Sequence, residues 1–143
     1  MKNGVTKSSE RGFTLMEMLV VLVLIGLIAA VAVPQVMGLM ESAKAKAARI
    51  QLETLSQSLI MYQLDIGDYP TTEQGLAALW TEPGQVDAWN GPYVRRERQL
   101  IDPWNRPFIY RAPGEKKPYD LITLGADGKQ GGRGDDADIS AHD

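Results

Sequence analysis

The sequence predicts an α+β chain, with one long N-terminal helix packed through its second part on a small antiparallel-sheet head. Three observations predict it. Residues 18–40 carry no charge. From Glu41 to Leu64 apolar residues recur at helical spacing, with Leu52, Leu55, Leu59 and Tyr62 three or four positions apart. Farther on, Phe108-Ile109-Tyr110 and Tyr119 to Leu124 are rich in strand formers, and Ala112-Pro113-Gly114-Glu115 between them is a turn sequence.

The uncharged run, Met18 to Met40, would span about 35 Å as a helix at ~1.5 Å per residue. A hydrocarbon core is about 30 Å thick, so one crossing is within reach. The run is apolar on all sides, as lipid or a packed filament core demands. Gly26 and Pro34 lie inside it; both weaken a helix in water, are tolerated in membranes, and predict a loosening between them. Lys2, Lys7 and Arg11 precede the run against Glu10, which places the N-terminus in the cytoplasm and the remainder outside. Two plainer readings exist. A signal peptide could end near Ala29-Ala30-Val31-Ala32, although its apolar core is ordinarily shorter; a simple single-pass anchor needs no further motif. Glu17 fits neither well. A carboxylate at the edge of an apolar span costs free energy unless it has a partner or stays among headgroups.

The helix is expected from about Thr14 to about Asp65, with Gly67 and Pro70 ending it. Thr71-Thr72-Glu73 offers a capping start for a short helix that shows Leu76, Leu79 and Trp80 on one face. Trp80, Trp89 and Trp104 read as core or rim residues. Arg95, Arg96 and Arg98 form a basic run, either a solvated loop or a contact for acidic residues of a neighbouring subunit.

Composition excludes several functions. The 143 residues carry a net charge of −3, which argues against a nucleic-acid binder. There is no cysteine, which removes disulfides, thiol catalysis and thiolate metal sites. One histidine, His142, argues against serine–histidine catalysis and histidine-rich metal sites. No nucleophile–base pair or phosphate loop supports an enzyme. The acidic end is less easily read. Gly125 to Asp138 combines glycines with Asp127, Asp135, Asp136 and Asp138, which suits either a solvated tail or a loop offering oxygens to calcium. The EF-hand pattern is absent. Gly131-Gly132-Arg133-Gly134-Asp135-Asp136 begins like a β-helix calcium repeat, but Asp138 stands where an apolar residue belongs and no second copy exists. Arg133-Gly134-Asp135 is a tripeptide too short to carry meaning.

Arg11-Gly12-Phe13-Thr14-Leu15-Met16-Glu17, between a basic leader and a long apolar run, resembles the processing site of type IV pilins and pseudopilins. The resemblance implies cleavage between Gly12 and Phe13 by a prepilin peptidase, methylation of the new Phe13 amine, and a role for Glu17 in assembly. Removing one member of an ion pair formed away from water is costly, so Glu17 is suited to set register against a neighbour's new amine. Tyr69 to Leu76, Asp102 to Tyr110 and Tyr119 to Gly128 further resemble the major pseudopilins of type II secretion systems. Adhesive type IV pilins usually close this end with a cysteine pair, which the chain lacks; in major pseudopilins calcium serves instead.

That resemblance implies a pilin-like fold with a C-terminal calcium loop, in which Asp127, Asp138 and carbonyls near Leu124 and Lys129 are ligands, joined by Asp135 or Asp136. It divides the chain into a leader (1–12), a membrane-spanning or filament-core half-helix (13–40) and a periplasmic head (41–143). The expected function is structural: a subunit that polymerises with copies of itself into a pseudopilus and supports export of folded proteins across the outer membrane. Its expected partners are minor pseudopilins, the inner-membrane assembly platform, the peptidase and the bacterial inner membrane itself. The alternatives are another pilin-like subunit, minor or competence-related, and a membrane-anchored calcium-dependent binder.

Overall fold

A computed structural model describes residues 12–84, 86 and 88–142. Helix α1 runs over Leu15–Ile66 and is capped by Thr14. The Thr14 hydroxyl accepts a hydrogen bond from the Glu17 amide at 3.2 Å, and the Thr14 carbonyl accepts from the Glu17 and Met18 amides at 3.1 and 3.2 Å. Thr14 and Glu17 thus stand as N-cap and N3 of a capping sequence, with the acidic residue at the positive end of the helix. Pro34 lies inside α1 without interrupting it, so the expected loosening from Gly26 to Pro34 does not occur. Proline supplies no N–H to the carbonyl of Ala30, a defect of about 3 kcal/mol in a helix in water that apolar membrane helices tolerate. The helix ends at Gly67, whose φ of 99° turns the chain while its N–H still reaches the Gln63 carbonyl at 2.8 Å.

The chain divides into two compact units, Met1–Gly38 and Leu39–Asp143. In the first, every described residue is exposed. The second holds a core of its own. Ala48, Leu52, Leu55, Leu59 and Tyr62 of α1 are buried with Leu76, Ala78, Leu79, Val94, Phe108, Tyr119, Leu121 and Ile139. The stripe of three- and four-residue spacing therefore faces the head as expected. Ile50 and Leu64 lie off it and remain 64% and 73% exposed.

After α1, Thr71 and Gln74 bond reciprocally: the Gln74 side chain accepts from the Thr71 amide at 2.8 Å, and the Thr71 hydroxyl accepts from the Gln74 amide at 3.2 Å. The capping signal is thus real, but its partner is Gln74 rather than Glu73. That pair holds the turn before the short helix, which is a single 3-10 turn, Leu76–Leu79, with Gly75 at its N-cap and no side-chain cap; it buries Leu76 and Leu79, with Trp80 at the rim. The sheet comprises β1 (Ile109–Arg111), β2 (Asp120–Thr123) and β3 (Ile139–Ser140), antiparallel in that order. Tyr110 lies opposite Leu121 and Thr123 opposite Ile139. In β2, Leu121 and Thr123 point into the core, the alternation of a half-buried strand. Strand β3 is additional to the two expected from the sequence; it is two residues long and lies within the acidic end.

Candidate functional site

At the N-terminal end, the leader lies outside the described residues except for Gly12. Phe13 is 75% exposed just before α1. Glu17 is exposed in the first turn, its backbone tied to Thr14. Among the described residues α1 is long and apolar enough to cross a membrane.

The second candidate site is the loop from Gly125 to Asp138. Asp127 folds it locally, its Oδ1 accepting from the Lys129 amide at 2.9 Å. Asp138 closes it: Oδ2 accepts from the Gly131 amide at 2.9 Å, and the Asp138 amide donates to the Gly131 carbonyl at 3.1 Å. The Ala126 amide reaches the Asp135 carbonyl at 2.9 Å. Gly125 is required here: its φ is 62°, and a Cβ would meet the Ala137 carbonyl oxygen at 2.6 Å. Asp127, Asp136 and Lys129 are exposed or partly so, while Leu124 is half-buried after β2. Asp135 turns to the helix and accepts from the Ser42 hydroxyl at 3.3 Å. Among the described residues no three acidic or histidine side chains converge as metal ligands, so a cation here must draw on carbonyl oxygens as well. Asp138 Oδ1 is buried and has no hydrogen-bond partner, a costly state for a carboxylate oxygen.

Beneath this loop lies a polar cluster that sequence reasoning missed. Asp102 is 5% exposed. Its Oδ1 accepts from the amides of Trp104 and Arg106 at 3.0 and 2.8 Å; its Oδ2 accepts from the Thr123 hydroxyl at 2.6 Å and lies 3.4 Å from Arg106 Nε. Arg106 in turn donates to the Gly125 carbonyl. The Trp104 ring lies beneath the Arg106 guanidinium, 5.6 Å from centroid to Cζ, and its indole N–H donates to Glu41 at 2.6 Å. The available signal was Asp102-Pro103-Trp104-Asn105-Arg106 itself, an aspartate that can accept from amides two and four residues on. Trp80 and Trp89 serve the core rim, and Trp89 donates to the Ala78 carbonyl at 3.0 Å. Arg95, Arg96 and Arg98 are exposed around a 3-10 turn at Glu97–Leu100.

The family described as type II secretion system (T2SS), protein G, matches residues 35–142, and the prokaryotic N-terminal methylation motif matches residues 7–33. The chain is 44% identical to the type II secretion system core protein G of Pseudomonas aeruginosa, covering 96% of this chain and 98% of that one. It is 43% identical to the core protein G of Vibrio cholerae, with 91% and 90% covered. The crystal structure of the major pseudopilin from the type 2 secretion system of enterohaemorrhagic Escherichia coli is similar, with a TM-score of 0.57 at 35% identity, over 73% of this chain and 90% of that one.

Proposed function

The chain belongs to the type II secretion system protein G family, and we propose that it enters its filament after cleavage between Gly12 and Phe13 and methylation of the new Phe13 amine. It is a structural subunit of the pseudopilus, a pilus-like polymer, and is anchored in a membrane by its N-terminal helix. One observation carries the reading: every described residue from Gly12 to Met40 is exposed, although residues 18–40 carry no charge. Covering one such valine, leucine or isoleucine is worth about 1.5–3 kcal/mol, so a run of them needs lipid or neighbouring helices. In the finer reading the bilayer is the bacterial inner membrane, with residues 1–12 cytoplasmic and the head periplasmic. The cover then changes from lipid to copies of α1 when the subunit is drawn into a homopolymer with minor pseudopilins and an inner-membrane platform.

Cleavage creates a cation at the Phe13 nitrogen close to where lipid gives way to water. Glu17 lies one helical turn on, and the exposure of its carboxylate leaves it available to a neighbouring subunit's amine. Once both are withdrawn from water each needs the other, which fixes the axial register of adjacent helices. Glu17→Ala is therefore expected to insert and to lose residues 1–12, shown by the mature mass with one added methyl group, yet to form no cross-linkable filaments. Filaments like those of the wild type would defeat the role of Glu17. An uncut precursor in the wild type would defeat the cleavage site.

We also infer a calcium site in the C-terminal loop. The residues fit a hard cation: Asp138 offers a buried oxygen without a partner, Asp127 lies in the adjoining turn, and Asp136 with the carbonyls of Leu124 and Lys129 supplies oxygen donors. Calcium, when bound, contributes the positive charge that offsets a loop with aspartates at 127, 135, 136 and 138.

A further inference from the structure

We propose that Arg106, preorganised by the buried carboxylate of Asp102, is the positioning residue of the Gly125–Asp138 loop. The guanidinium is held on three sides. Asp102 Oδ2 lies 3.4 Å from Nε, the Trp104 ring supports one face, and Nη2 donates to the Gly125 carbonyl. Asp102 itself is buried and tied down, since Thr123 in β2 and the amides of Trp104 and Arg106 occupy its remaining lone pairs. The strand therefore orients the carboxylate, the carboxylate orients the arginine, and the arginine sets where the loop leaves the sheet. At the far end of the turn Gly128 has a φ of 68°, which favours glycine, and a Cβ there would meet the Arg106 guanidinium. A planar fork reaching two acceptors in different directions is a task that lysine's single ammonium does not perform.

Among the described residues, Arg106 makes no hydrogen bond or ion pair with the carboxylates of Asp127, Asp136 and Asp138. It acts through the backbone between them, and its effect on affinity rests on the proposed calcium site, whereas its effect on loop order does not. The test uses the full chain in detergent micelles, with Arg106→Gln, Asp102→Asn and Gly128→Ala, the last of which strains the turn as well as crowding the guanidinium. Hydrogen exchange is followed at the loop amides of Ala126, Gly131 and Asp138 and at core amides of Leu55 and Leu121. Calcium affinity is read by titration calorimetry. Faster exchange in the loop with unchanged core exchange is expected, together with a loss of calcium affinity of about tenfold or more, as for residues that orient ligands without touching the metal. Loop exchange equal to wild type in Arg106→Gln, or loop and core accelerated alike in all three variants, would overturn the assignment. If the wild-type protein takes up no calcium, the cation reading falls, and the exchange measurement alone decides the role of Arg106.

Discussion

Glu41 is the first charged residue after the apolar run, and two partners meet it there. The Trp104 indole N–H holds its carboxyl below the usual carboxylate range, with the Lys44 ammonium, 2.9 Å away, adding to the effect. A depressed folded value means that the contact contributes stability above the unfolded value and loses it as pH falls through the folded one. The indole N–H resonance of Trp104 is thus expected to shift on acidification only below the ordinary carboxylate range. In Glu41→Gln that titration should vanish. A Trp104 signal that titrates identically in the variant would show that Glu41 is not its partner. Tyr110 shows the opposite influence: burial drives its phenol upward, and its O–H donates to the Pro70 carbonyl at 2.8 Å, so it stays neutral and structural.

Within α1, position relative to the head decides what each leucine contributes. Leu59 is fully buried and Leu64 is 73% exposed, although they lie close together in the chain. Leu59→Ala should cost about 2–5 kcal/mol through lost transfer energy and a cavity. Leu64→Ala should stay within about 0.5 kcal/mol, as surface substitutions do. Denaturant unfolding of both variants checks this; equal losses would mean that the exposed stripe is covered in the protein as purified. In the sheet, β2 has partners on both sides and contributes Leu121 and Thr123 to the core, whereas β3 has two residues and depends on Ile139. The loop preceding β3 is held beyond the ladder by its own Asp127 and Asp138 bonds and by those from Ser42 and Arg106.

For the whole molecule, calcium should raise thermal stability and a chelator should lower it. A ligand confined to the folded loop stabilises by roughly 2.7 kcal/mol at a hundredfold excess over Kd. Asp138→Ala should weaken or abolish the effect, and magnesium should replace calcium poorly because it keeps its waters in a tighter octahedron. A melting temperature indifferent to both calcium and chelator, with no heat of binding, would return the loop to a solvated acidic end. The sequence by itself determined the apolar anchor, the buried face of α1, the two principal strands and the N-terminal methylation motif. Each is written in periodicity, composition or a few adjacent residues, and local physics reads such patterns directly. Only the tertiary structure decided that the acidic end turns back as β3, that the short helix is a single 3-10 turn, and that Asp102 and Arg106 lie beneath the loop. The Asp102 cluster and the acidic loop are joined to the helix by polar atoms far apart in the chain, 63 positions from Glu41 to Trp104 and 93 from Ser42 to Asp135. For Asp102 the amides two and four residues on are local donors, but the Thr123 hydroxyl, 21 residues away, reaches it only through chain closure, and no local pattern specifies such a donor.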